Sequence, residues 1–251
     1  LVCALAVSED LALRLEARVA ERTLALQEAD AAKTRFLAAA SHDLRQPVAA
    51  IGLLVGLARD RVADACQAGL LDRIQGAVRA LEGLLRGLLD LSRLDSAAGA
   101  PLRQAVPLQA LFDGLALHHQ ADAQARGLRL LLRPTTLQVD SDPVLLDQVL
   151  RNLVGNALHH PRRGGVLVAA RRHGAHGVRL QVWDTGIVIP ADQQQRVFEP
   201  FVQLHDPWPG RHPGQGLGLA IVRRAVDLLG HPLLLRSVPG RGSCFSIGLP
   251  L

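Results

Sequence analysis

Apolar residues fall along the first part of the chain in alternating steps of four and three. From Leu44 the stripe runs through Val48, Ile51, Val55, Ala58 and Val62, the seam of a coiled-coil-like helix. Upstream, Leu15, Val19, Arg22, Leu26, Ala29, Lys33 and Phe36 continue the seam with two charged interruptions. Ser8, with Glu9 and Asp10 behind it, offers an N-cap and an acidic first turn, so residues 8 to about 62 read as one long helix. Residues 59–69 lose the pattern and hold a turn. Ile74, Ala77, Leu81, Leu84, Leu88 and Leu91 then form the seam of a second helix. Two helices with matching seams and a short connection make an antiparallel hairpin. A lone hairpin cannot bury both seams, so two copies are expected to build a four-helix bundle.

Ser96-Ala-Ala-Gly-Ala-Pro101 breaks the pattern, and beyond it the chain turns to mixed α and β. Helices are predicted over Leu108–Arg126 and Val144–His160 (started by Ser141-Asp-Pro143), and Gly214-Gln-Gly-Leu-Gly218 opens a last helix to Leu229. Strands are predicted over Leu128–Arg133, Leu137–Asp140, Val166–Arg171, Val178–Asp184, Leu233–Val238 and Ser243–Leu249. Residues 185–213 read as a long loop with one helical turn at 191–197. Helices between antiparallel hairpins imply an α/β sandwich and not a doubly wound sheet. The expected organisation is a linker helix over 1–35, a hairpin over 36–98, a linker over 99–104 and the sandwich over 105–251.

Composition narrows the classes. Of 251 residues, 49% are apolar and 20% charged, so the chain is globular. It carries no Met and starts at Leu1, which suggests a fragment of a longer protein. The net charge of +5 comes from scattered arginines without interleaved aromatics, which argues against nucleic acid. Cys3, Cys66 and Cys244 are odd in number and lack CxxC spacing, so a reducing, cytoplasmic setting without a zinc site is expected. There is no apolar stretch of transmembrane length. The short run Leu1–Val7 is either the end of a membrane helix, in which case the parent protein is anchored at the inner membrane, or the first turns of a packed helix.

Candidate chemistry sits at four places. His42 lies about 200° of helical rotation from Leu44 and so points away from the seam, with Asp43, Arg45 and Gln46 beside it and Pro47 just after. Alone, that cluster suits a polar bundle face equally well. Asn152 and Asn156, at i and i+4, share one helix face, a solvated pair or a Mg²⁺ site completed by substrate phosphates and water. Asp184 ends a strand in Asp-Thr-Gly186, either a simple turn or an acceptor for an exocyclic amine. Gly214, Gly216 and Gly218 precede a helix whose N-terminus favours anions, in a spacing that is neither the dinucleotide fingerprint nor a P-loop.

In this order the motifs resemble those of a sensor histidine kinase, over about residues 30–251. Ser41-His-Asp-Leu-Arg-Gln-Pro47 is similar to its H box, Asn152-Leu-Val-Gly-Asn156 to its N box and Asp184-Thr-Gly-Ile-Val-Ile-Pro190 to its G1 box. Phe198-Glu-Pro-Phe201 is similar to the F box, Gly214-Gln-Gly-Leu-Gly-Leu219 to the G2 box and Pro239-Gly-Arg-Gly-Ser243 to the C-terminal glycine turn. The H box version looks like that of hybrid kinases, which carry receiver domains.

The resemblance implies a dimerisation and phosphotransfer hairpin followed by a Bergerat-type ATP-binding sandwich, with ATP and Mg²⁺ as cofactors. It implies that His42 attacks the γ-phosphate with Asp43 as proton acceptor, and that Gln46 positions a water for dephosphorylation. Asn152 and Asn156 would hold Mg²⁺ and phosphates, and Asp184, with Gly186 beside it, the adenine amino group. His159, His160, Phe198, Gly214, Gly216, Leu217 and Gly218 would complete the ATP site. The implied partners are a second copy and the receiver domain of a response regulator. Two departures stand out: Val188 replaces a glycine of the G1 box, and His159 and His160 replace a basic residue and an aromatic after the N box. Val188 motivates a rival reading, a dimeric signalling module that does not use ATP productively. An ATPase of the same nucleotide fold serving DNA repair or chaperoning is disfavoured by His42 on a hairpin in front.

Overall fold

The computed structural model of the chain describes residues 44, 48–59, 65–95, 100–159, 164–174, 176–203, 216–239 and 242–251. The predicted linker helix over 1–35 lies outside them. Helix α1, described over 48–59, and α2 (Ala65–Asp95) form the hairpin. Their contacts fix the antiparallel sense: a Cβ on Gly52 would sit 3.1 Å from Val78 and one on Gly56 3.8 Å from Gln75, while Arg59 Nε meets Asp72 at 2.5 Å. As one position rises the other falls. The small residues Gly52 and Gly56 let the helices approach, a device the apolar stripe did not reveal. Val48 is buried, whereas Leu44, Ile51, Ile74 and Leu81 of the predicted seams are 38–53% exposed in the single chain. The seams are formed but not closed.

The second half is a mixed sheet under three helices. Helices α3 (Leu108–Ala125), α4 (Pro143–His159) and α5 (Gly218–Leu229) cover one face of a five-stranded sheet. Its strands are β2 (Arg129–Leu132), β4 (Gly165–Arg172), β5 (Gly177–Asp184), β6 (Leu233–Val238) and β7 (Gly242–Pro250), in the order β2-β4-β5-β7-β6. All neighbours run antiparallel except β2 and β4, which are parallel. The predicted strands are therefore present, and the parallel pair is an addition to the antiparallel reading. A further pair, β1 (Gln104–Pro107) with β3 (Gln138–Ser141), forms a separate small sheet, and β1 corresponds to no predicted strand.

Alternation along the strands supplies the core. Val166, Val168, Leu180, Val182, Phe245 and Ile247 point to the helices, against Phe112, Leu115, Leu150 and Leu153. Helix α4 begins where Asp142 Oδ1 accepts from the backbone N–H groups of Val144 and Leu145 at 2.9 and 3.1 Å, the N-cap that Ser-Asp-Pro foreshadowed. Asp142 Oδ2 also accepts from Leu102 N–H at 2.9 Å, so the segment after the hairpin is tied to the sandwich. Helix α5 ends at Gly230 in the left-handed conformation (φ 67°). The lower part of α2 packs on α5: Leu94 joins the sandwich core, Leu84 and Leu91 pack against it, and Arg224 Nε meets Asp95 at 2.8 Å. Among the described residues no helix is long and apolar enough to cross a membrane.

Candidate functional site

Asp184 closes β5 between Val166 of β4 and Ser243 of β7, so its carboxylate sits at the end of the sheet under the helices. It is buried, and its Oδ1 accepts from Gly186 N–H at 2.8 Å. Burial raises its pKa to about 6, against the opposing pull of backbone N–H donors from Gly186 and Ser243. No cation lies beside it among the described residues, so it is suited to a neutral donor such as an amine. Gly242 (φ 82°) makes room for it, since a side chain there would run into the Asp184 carbonyl.

The loop that follows is held by hydroxyls from the far strands. Ser237 Oγ accepts from Ile189 N–H at 2.9 Å and lies 2.9 Å from Ser243 Oγ, while Gln194 Nε2 donates to the Ile189 carbonyl at 3.2 Å. Ile189 is buried, and Val188 before it is half-buried. On the other side Thr185 Oγ1 accepts from Gly165 N–H at 3.1 Å. Ser237 was not singled out from the sequence, because nothing local marks a hydroxyl that reaches a loop 48 residues away.

Asn152 and Asn156 are half-buried on α4, on the face the sequence predicted. Asn152 Nδ2 donates to the Gln148 carbonyl at 2.9 Å, which leaves its Oδ1 directed at Gly218, where a Cβ would come within 3.4 Å. Gly218 starts α5, and that helix start has no side-chain cap, so its first N–H groups are available to an anion. Amide oxygens beside an uncapped helix N-terminus fit a phosphate chain and a hard cation held mainly through it. Leu217, next to Gly218, is buried against α2, where a Cβ on Gly87 would lie 2.9 Å from Leu217 Cδ1.

The remaining residues are placed unequally. Gly216 (φ 68°) accepts from Phe201 N–H at 2.8 Å and leaves no space for a Cβ beside the Phe201 backbone. Phe198 packs edge-on against Phe245, with centroids 6.3 Å apart, at the rim of the core. Phe201, the last residue of the F-box-like stretch, is 60% exposed in a left-handed conformation (φ 64°), unusual for an aromatic. His159 is exposed at the end of α4, its Nδ1 3.4 Å from Arg126 Nη1. His42, Asp43, Gln46, His160 and Gly214 lie outside the described residues. Cys244 is buried and free, and no cluster of metal-ligating side chains exists among the described residues.

Comparison with known proteins adds two family matches in chain order. Residues 32–97 match the His Kinase A (phospho-acceptor) domain. Residues 141–251 match the family described as histidine kinase-, DNA gyrase B- and HSP90-like ATPase. The virulence sensor protein BvgS of Bordetella bronchiseptica is 39% identical over 235 residues, 89% of this chain and 19% of that protein. Sensor histidine kinase AruS of Pseudomonas aeruginosa is 36% identical over 94% of this chain and 25% of its own length. Signal transduction histidine-protein kinase BarA of Escherichia coli is 31% identical over 87% and 25% respectively. The chain thus spans a quarter or less of these three relatives. Among solved structures, full-length ShkA in complex with AMPPNP superposes with a TM-score of 0.68 at 28% identity, covering 86% of this chain and 45% of that one. Histidine kinase AdeS of Acinetobacter baumannii shares the fold, with a TM-score of 0.59 at 20% identity over 83% of this chain and 97% of its own.

Proposed function

Since the chain belongs to the sensor histidine kinases, we propose that it is the ATP-dependent kinase core of a two-component system, a homodimer that phosphorylates its own His42 and passes the group to an aspartate of a receiver domain. One observation carries the reading: Asn152 Oδ1 adjoins the uncapped start of α5, in the same sandwich that buries Asp184 at a strand end.

Asp184, when ionised, accepts a hydrogen bond from the adenine amino group, with Gly186 allowing the base to approach. The N–H groups after Gly216 and Gly218 take phosphate oxygens, and Asn152 and Asn156 turn amide oxygens to the same place. Gly214, Leu217, Phe198, His159 and His160 complete the pocket wall and lid. Mg²⁺ held there through Asn152, Asn156 and the phosphates would supply charge neutralisation on the transferred group. A neutral His42 imidazole nitrogen forms a bond to the γ-phosphorus as the bond from phosphorus to the bridging oxygen breaks, and ADP leaves. Asp43 takes the proton from the other ring nitrogen. Gln46 positions a water for dephosphorylation, which releases inorganic phosphate.

Incubating the chain with γ-labelled Mg-ATP beside His42→Gln tests this. The expected product is an acid-labile, base-stable phosphoramidate absent from the variant. Failure to bind ATP at all would sink the kinase reading. Binding without labelling favours the rival module, and recovery of labelling in Val188→Gly would locate the fault at that half-buried valine.

A further inference from the structure

The sheet has a second face that the nucleotide reading does not use. Strand alternation turns Leu131, Leu167, Trp183 and Cys244 away from the core, and the ladder register aligns them in one row across β2, β4, β5 and β7. On β6, Leu234 and Val238 face the same way, and Leu131, Trp183, Leu234 and Val238 are 49, 40, 55 and 49% exposed. Around this apolar centre stand Arg129, Arg171, Arg179 and Arg236, and no residue that the five strands turn to this side is acidic. Arg171 and Arg179 are direct cross-strand partners, a like-charge pair that costs stability. The ion pairs of the described residues all lie elsewhere, and Arg179 Nη2 meets only His173 Nε2, at 2.6 Å.

We propose that this face docks another protein through a surface that presents carboxylates around an apolar centre. An aromatic and aliphatic middle with arginines at its margin is the composition of a protein interface, and the uncompensated arginines specify the charge of what covers them. A second copy of the same face would set arginine against arginine. A nucleic-acid backbone would satisfy the arginines but leave the row from Leu131 to Trp183 bare.

Trp183 itself reports the contact. In a Trp208→Phe background it is the one tryptophan left of two. The probes are a synthetic amphipathic peptide of glutamates and leucines, its lysine–leucine counterpart, a DNA oligonucleotide and phosphatidylserine-containing vesicles. The glutamate peptide is expected to shift Trp183 emission to the blue, saturably and less strongly at high salt. The double change Arg171→Glu and Arg179→Glu should weaken that binding by about tenfold and transfer it to the lysine peptide. This reversal separates a charge effect from a folding defect, and ATP binding should be unchanged throughout. No shift with the glutamate peptide, equal shifts with both peptides, or a response to vesicles or DNA alone would each overturn the proposal.

Discussion

In the sandwich, Phe112, Leu115, Leu150 and Leu153 are at most 1% exposed, whereas in the hairpin Leu53, Leu54, Leu57 and Leu70 are 50–67% exposed. Leucine is the principal apolar residue in both regions, so composition does not make the difference. Three helices laid on one face of a sheet enclose a core within one chain. Two helices touching through Gly52 and Gly56 bury only one stripe each and leave other apolar stripes open. Of the buried apolar residues of the hairpin, Val48, Leu85, Leu89 and Leu94, it is Leu94 near the end of α2 that joins the core of the sandwich. The sandwich therefore closes its core within one chain, with help from the end of α2, while the proposed hairpin dimer completes itself on a second chain.

The largest expected effect would break that comparison directly. Leu150→Ala empties a fully buried position, and urea unfolding of the sandwich should lose about 2–5 kcal/mol. Leu54→Ala, on the open stripe, should change the stability of the single chain by less than about 0.5 kcal/mol yet weaken self-association in sedimentation equilibrium. If both substitutions destabilise equally, the two regions do not differ as described.

Next comes the site carboxylate. Asp184→Asn removes the charged acceptor and should weaken ATP binding by ~10–100-fold in calorimetry, the equivalent of about 1.5–3 kcal/mol, while the fold persists. An unchanged affinity would remove Asp184 from the adenine site. Its pH behaviour is a separate reading. Because its pKa is raised from 3.8 to about 6, the folded chain holds that proton more tightly than the unfolded chain. Stability from this group is full below about pH 4 and is lost as pH rises to about 6, by on the order of 3 kcal/mol. ATP binding should run the opposite way, strengthening as pH rises through about 6, where the carboxylate forms.

His231 provides the contrasting titration at the other end of α5. It is buried beside Ser141, its Nε2 3.0 Å from the hydroxyl, and burial together with Arg103 lowers its pKa below 6.5, against a smaller opposing effect of Asp140. A neutral buried imidazole contributes stability above pH 6.5 that is lost on acidification. Thermal melts of His231→Gln should therefore lose a destabilisation below pH 6.5 that the parent chain shows, whereas Asp184→Asn should remove the one that develops between pH 4 and 6.

A last effect concerns the join between the regions. Gly87→Ala places a methyl 2.9 Å from Leu217 Cδ1, the flexible end of a side chain, so a cost of about 1 kcal/mol is expected. Hydrogen exchange in the first turn of α5 should speed up if Leu217 is indeed held by α2.

Much of this was legible in the sequence for local reasons. The heptad stripes, the Ser-Asp-Pro helix start, the strand ends at Asp184 and Val238 and the i, i+4 pairing of Asn152 with Asn156 each depend on a few adjacent residues, and the structure places the helices and strands near the predicted ranges. Strand β1 was not legible. Gln104-Ala-Val-Pro107 has no alternation worth the name, and it is a strand because Val106 meets Val139 across the ladder, both almost wholly buried. The conformation of Phe201 gave no signal either, since an aromatic in the left-handed region is imposed from outside by its hydrogen bond to Gly216.

The order of motifs, the periodicities and the residue types at the site belong to the sequence alone, because they are set by short-range stereochemistry and by which side chains can donate, accept or carry charge. Tertiary structure decided the rest: that β2 runs parallel to β4, that Ser237 and Ser243 hold the loop after Asp184, and that Asp184 is buried deeply enough to raise its pKa to about 6. Those properties depend on groups brought together from distant parts of the chain, and on how much water is excluded when they meet.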